Sequence, residues 1–157
     1  MKTNIKTYDL GHYFKWDFKE NVKIVKNYGF DVPDTNVEGT FLNYEDLDCG
    51  FMSMHQYFKF IKYGYGRATD HACYEIRQGR MTKKQAEELI IEYDGKIPRR
   101  NFKEYLEFLD IDEKQFFSTA NRFTNPLLFK KDKDKTYLRD ANDDLILNTI
   151  WFDSFKI

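Results

Sequence analysis

The chain has 157 residues, a length that suits one domain around one core rather than a large two-domain enzyme. Its 25 Lys and Arg against 26 Asp and Glu leave a formal net charge of −1, which argues against a protein that coats nucleic acid by neutralising phosphates. Aromatic residues make up 18%, too many for a disordered chain, and 8 Gly with 3 Pro exclude a collagenous or loop-rich one.

Helical periodicity dominates in chain order. Asp17 with Glu20 reads as a capping box, Phe18, Val22 and Val25 share a face, and Gly29 sits where a left-handed end cap belongs. From Phe30 to Asn43 the pattern is lost, and Pro33, Asp34, Asn36 and Gly39 mark a loop. A second helix is expected from Met52 to Tyr63, with Phe51, Met54, Phe58 and Ile61 on one face and Gly64 as its stop. A third runs from Ala68 to Gln78. Thr82 and Gln85 form another capping box, opening a helix that carries Ala86, Leu89, Ile90 and Tyr93 and closes at Gly95. Phe102, Tyr105, Leu106 and Leu109 mark a fifth helix, and Asp112 with Gln115 opens a sixth that stops at Asn125-Pro126. Lys130 to Lys135 reads as a solvated turn and Tyr137 to Arg139 as a short strand, while Leu145 to Phe155 is apolar without a clear period. The expected fold is mainly α: one domain of about six short helices with little or no β, spanning residues 1–140, followed by a tail over 141–157.

Several chemistries have no carrier. There is no alternating β–α pattern, no Walker loop, no G-x-G-x-x-G and no Ser-Gly-Gly-x-Asp-Ser loop to grip the pyrophosphate of ATP. No serine lies in a nucleophile-elbow context. Two Cys do not frame a disulfide-stapled domain, so a reducing compartment is the default. Met1 to Asn21 lacks an apolar signal core, and no apolar run is long enough to span a bilayer. A cytoplasmic protein with no membrane or nucleic-acid partner is expected. Cys49, His55, His71 and Cys73 are metal-ligand types, but their spacing matches no standard zinc element, so no metal site is assigned; His71 is expected at the surface or behind a site, and Cys73 buried as a small apolar residue.

The most unusual stretch runs from Lys62 to Arg80. Gly64 and Gly66 permit a sharp turn, and the helix after it points its free amides back toward that turn. A helix start attracts anions, so Arg67 there is mildly unfavourable alone and suits an anionic partner such as phosphate or carboxylate. One reading is an anion pocket of Lys62, Arg67, the Thr69 hydroxyl and the turn amides. The other is structural: Arg67 pairs with Asp70 or Glu75, and Thr69 caps. Asp70, Tyr74 and Arg77 share a helix face and either bracket a polar ligand or form a buried polar network. Glu38-Gly39-Thr40 with Asn43-Tyr44 is a polar loop that either binds or merely connects.

These residues carry a resemblance. Tyr13-Phe-Lys-Trp16-Asp17, then Glu38-Gly-Thr40 with Asn43-Tyr44, then Tyr57-Phe-Lys-Phe-Ile-Lys62-Tyr-Gly-Tyr-Gly-Arg67-Ala-Thr-Asp70, Glu75-Ile-Arg77, Arg80-Met-Thr82 and Tyr93-Asp-Gly-Lys96 resemble the second half of N-acetyl sugar amidotransferases, over roughly Tyr8 to Asp140. The resemblance implies a role in lipopolysaccharide or related surface-glycan synthesis, in which a sugar acetamido group becomes acetamidino. It implies that ATP, with Mg, activates the amide oxygen and that ammonia from glutaminase and ammonia-channelling subunits displaces it. It places the ATP site in an N-terminal pyrophosphatase-type domain with the Ser-Gly-Gly-x-Asp-Ser loop, which this sequence lacks. The chain is therefore expected to be the C-terminal helical part, inactive alone and dependent on an ATP-binding half. In this reading Lys62, Arg67, Thr69, Asp70 and Arg77 face the sugar substrate, and Glu38 and Tyr44 edge its pocket; no catalytic residue is assigned. The alternative is a non-catalytic helical interaction module or truncated remnant.

Overall fold

The structure, a computed structural model, describes residues 5–148. Its helices are α1 (Phe18–Lys26), α2 (Met52–Tyr63), α3 (Arg67–Arg77), α4 (Lys83–Tyr93), α5 (Phe102–Leu109) and α6 (Glu113–Phe123), with a 3-10 turn at Leu10–His12. The fold is mainly α, with no sheet among the described residues. The chain divides between Pro33 and Asp34 into two compact units.

In the first unit, Asp17 opens α1 by accepting hydrogen bonds from the amides of Lys19 (3.1 Å) and Glu20 (3.4 Å), which satisfies donors that no helix can satisfy internally. Gly29 takes a φ of +89° just beyond the helix.

The second unit holds the core. Helix α2 buries Met54, Tyr57, Phe60 and Ile61, and it packs on α6, which buries Phe116 and Ala120. Phe116 is the hub. Its ring lies 5.1 Å from that of Phe102, 5.8 Å from Phe58 and 6.4 Å from Tyr57, and most of these pairs meet edge to face. Edge-to-face contact sets the positive ring edge against a negative face, adding about 0.5–1.5 kcal/mol per pair to area burial. Helix α3 packs instead on α4. The capping boxes expected at Thr82/Gln85 and Asp112/Gln115 both form.

After α6 the chain returns to the core rather than leaving it. The Asn125 amide donates to Ile61 O (2.9 Å), tying the end of α6 to the end of α2. Leu128, Phe129 and Leu145 then fill the core, held by isolated antiparallel bridges at Phe129–Leu147, Lys131–Tyr137 and Arg139–Leu145. The strand expected at Tyr137–Arg139 is thus two separate bridge residues. Residues 141–148, expected in a tail, are anchored: Leu145 is buried, and Asp144 Oδ1 accepts from the Ile97 amide at 2.9 Å. The rest of that apolar stretch lies outside the described residues.

Candidate functional site

The Gly64–Gly66 turn is built on two close approaches. Gly64 has a φ of +80°, and a Cβ there would sit 2.9 Å from Leu128 Cδ1. Gly66 carries its backbone against the Asp94 carboxylate, and a Cβ would overlap it. Asp94 lies at the end of α4 and reaches across to the start of α3. Its oxygens accept from the Gly66 amide (2.8 Å), the Ala68 amide (3.0 Å) and the Thr69 hydroxyl (2.6 Å). The anion at this helix start is therefore one of the protein's own carboxylates. Burial pushes the Asp94 pKa up, outweighing the Thr69 hydroxyl and the turn amides that pull it down.

Arg67 points the other way, toward the 40–46 loop. Its Nη2 lies 2.5 Å from Glu45 Oε2. Glu45 also faces His71, whose Nε2 is 3.5 Å away, and His71 Nδ1 shares a 2.7 Å hydrogen bond with the buried Thr40 hydroxyl. The result is a chain of polar groups, buried at Thr40 and His71 and half-buried at Glu45 and Arg67, that fastens the loop to α3. It holds the Glu45 carboxyl at about 2: His71 lowers it most, burial opposes, and Arg67 lowers it further. Asp70 pairs with Lys59 of α2 and stands 4.0 Å from Arg67 Nη1.

Between this chain and the 96–98 segment lie two neighbouring pockets that share lining residues and are taken together as one cleft. Its inner end is lined by Gln56, Tyr57, Gly66, Arg67 and Asp94, and has room for about one water, a volume near 10 Å³. Its outer part, about 230 Å³, is edged by Asn36 and Glu38 and shares Gly39, Tyr93, Lys96 and Pro98 with the inner end. Asn36 donates to the Tyr93 hydroxyl at 2.8 Å and so fixes that ring in the wall. Glu38 is fixed too, accepting from the amides of Arg99 (2.8 Å) and Arg100 (3.0 Å).

The helix pair α3–α4, the 38–46 loop and the 96–101 segment that build this cleft coincide with a known family. The family described as LPS biosynthesis protein WbpG-like, C-terminal domain, matches residues 38–141, more than half of the chain. The chain belongs to that family. No curated protein matches it. The WbpG-like match covers α2 to α6 and starts at Glu38, the residue that edges the cleft. It is the helical C-terminal part that the sequence resemblance points to.

Within this WbpG-like domain the seven expected substrate-facing residues scatter. Glu38 and Arg67 line the cleft, at its outer and inner ends. Thr69 and Asp70 stand beside Arg67 but are engaged with Asp94 and Lys59. Lys62 is exposed and lies over the Phe123 ring of α6, 4.8 Å from its centroid. Arg77 is exposed at the far end of α3, and Tyr44 is half-buried in the loop before Glu45. Arg67 pairs chiefly with Glu45 rather than with Asp70 or Glu75; Glu75 instead holds Arg80 through two bonds of 2.8 and 2.9 Å. Of the two places expected for His71, at the surface or behind a site, it takes the second, 4% exposed behind Glu45, whereas Cys73, expected buried, is exposed, because the α3 face that meets α4 and the loop carries His71 and Ala72. Among the described residues no group of three or more His, Cys, Asp or Glu is placed to hold a metal, and no helix is long and apolar enough to cross a membrane.

Sequence reasoning missed Glu45, Gln56, Tyr93 and Asp94. Only Asp94 left a signal. It directly precedes a helix-ending glycine, where a carboxylate is unfavourable against the helix dipole and so needs a partner elsewhere.

Proposed function

We propose that this chain is the helical, substrate-side part of an ATP-dependent amidotransferase that converts a sugar acetamido group to acetamidino during lipopolysaccharide (O-antigen) or related glycan synthesis. The observation that carries this reading is family membership over residues 38–141. Ammonia replaces the amide oxygen, so that oxygen must first be made a leaving group, and ATP with Mg supplies this. The residues described here do not fit an ATP site: Glu45 already neutralises Arg67, Asp94 occupies the α3 amides, and the sequence has no phosphate loop. ATP is accordingly assigned to a separate ATP-binding half, ammonia to glutaminase and channelling subunits, and the sugar to this domain. Nucleotide-linked sugars and ATP are cytoplasmic metabolites, which puts the reaction in the cytoplasm.

Reconstitution tests the reading. The full chain is combined with an ATP-binding domain bearing the Ser-Gly-Gly-x-Asp-Ser loop, ATP, Mg, ammonium and nucleotide-linked N-acetyl sugars. Mass spectrometry should find sugar with oxygen replaced by NH only when both chains are present. A stable complex of the two chains that makes no amidine would overturn the proposal in favour of a non-catalytic interaction module.

A further inference from the structure

Exposed apolar side chains are concentrated in the first unit. Among the described residues, ten of the twenty large apolar side chains that stand in solvent lie within residues 5–33, and the other ten are spread over residues 34–148. Single exposed apolar residues are ordinary on a protein surface, but a dense set marks a surface that something covers. The first unit builds no core of its own. Asp17 is the only buried residue among 5–33, and neither α1 nor the 3-10 turn buries a side chain. Rings lead the set, with Phe14 70% and Tyr28 86% exposed, and Ile24 of α1 joins them. Aromatic side chains of this kind carry much of the energy of protein interfaces.

Charge narrows the choice of what covers them. Residues 5–33 carry five Lys and four Asp or Glu. An anionic membrane would repel nearly as many of these groups as it attracted, whereas a protein surface can match both signs. Lys23 pairs with Glu20 at 2.7 Å, while Lys15 and Lys26 are exposed and face no carboxylate among the described residues. Position narrows the choice further. The matched family is a C-terminal domain and its match begins at Glu38, so the first unit lies outside that domain on its N-terminal side.

We propose that residues 5–33 are the surface on which the ATP-binding half docks, through an apolar patch of that half whose rim carries carboxylates that meet Lys15 and Lys26. The identity of the partner rests on the proposed function; the apolar, acid-rimmed chemistry of its surface rests on the first unit alone.

The test is calorimetric titration of the full chain with the ATP-binding domain used for reconstitution, at low and at physiological salt. Phe14→Ser combined with Tyr28→Ser should weaken binding at least about tenfold, because truncated interface rings are where affinity is lost. Lys15→Glu combined with Lys26→Glu should also weaken it and should lessen the salt sensitivity of the parent. All four side chains are exposed, so the urea midpoints of both variants should stay at the parent's. Phe108→Ser, on the second unit, should bind as the parent does. Parent-like affinity in the Phe14/Tyr28 variant, an equal loss in Phe108→Ser, or no binding of the parent would overturn the docking surface. A parent dimer that the Phe14/Tyr28 variant makes monomeric would overturn it in favour of a second copy of this chain. Binding to phosphatidylglycerol vesicles that the same variant abolishes would overturn it in favour of a lipid surface. Amidine formed at the parent's rate by that variant would leave the proposed function standing and remove only this surface, whereas tight docking without amidine would do the reverse.

Discussion

Asp94 reaches α3 from another helix, so losing its side chain removes a helix cap and a tie between elements at once. Thr82 offers the contrast, since it caps α4 from within its own exposed turn. Thr82→Ala should cost about 1 kcal/mol, as exposed caps usually do. Asp94→Ala should cost more than about 2 kcal/mol, because it strands the Gly66 and Ala68 amides and the Thr69 hydroxyl in a buried place. Gly66→Ala attacks the same contact from the backbone side and should cost about 1–3 kcal/mol through overpacking. Urea unfolding ranks the three, and a Thr82→Ala loss equal to that of Asp94→Ala would refute the tertiary cap. Glu45 gives a pH test. Its carboxyl is held at about 2 in the folded chain against an ordinary value of 4.5. The group therefore adds stability that is complete above pH 4.5 and fades as pH falls through 2. The stability difference between the parent and Glu45→Gln should shrink over that window. Asp94 shifts in the opposite direction and is present in both proteins, so it largely cancels. A difference that stays constant from pH 6 to pH 3 would show that Glu45 is not held by His71 and Arg67.

At the scale of elements, helices were legible because each signal that marks them is local. The Thr82/Gln85 and Asp112/Gln115 boxes, the stop at Gly64 and the apolar spacing of Met54 and Ile61 all act within one or two turns. The 128–148 segment was legible only at its exposed turn over 130–135. Its bridges, Phe129 with Leu147, Lys131 with Tyr137 and Arg139 with Leu145, are isolated residue pairs and so leave no period-2 run in the sequence. The site was half legible for the same reason. An unusual Arg at a helix start flagged Arg67, and a polar loop flagged Glu38, yet what Arg67 pairs with was decided by loop placement. Glu45 lies 22 residues before it and Asp94 lies 27 after it, at no helical spacing from it. The sequence left open whether a bound anion or an internal pairing meets the start of α3; the fold places the Asp94 carboxylate there.

At the scale of the molecule, the aromatic residues among those described fall into two populations with different energetics. One is the ring cluster around Phe116, which is 2% exposed and touches rings from α2, α5 and α6. The other stands in solvent, as Phe108 does at 73% exposure. Burying a Phe side chain contributes about 1.5–3 kcal/mol, and deleting it also leaves a cavity that neighbouring rings fill poorly. Phe116→Ala should therefore cost about 3–5 kcal/mol, a large share of the roughly 5–15 kcal/mol that holds a domain folded. Phe108→Ser removes little buried area and should change stability by no more than about 0.5 kcal/mol. Near-UV circular dichroism during urea unfolding reads both effects, because the clustered rings dominate that signal. If Phe116→Ala unfolded at nearly the parent's urea midpoint, α2, α5 and α6 would have to be held together by something other than this cluster. A candidate is the bridge-linked 128–148 segment, whose Leu128, Phe129 and Leu145 belong to the same core.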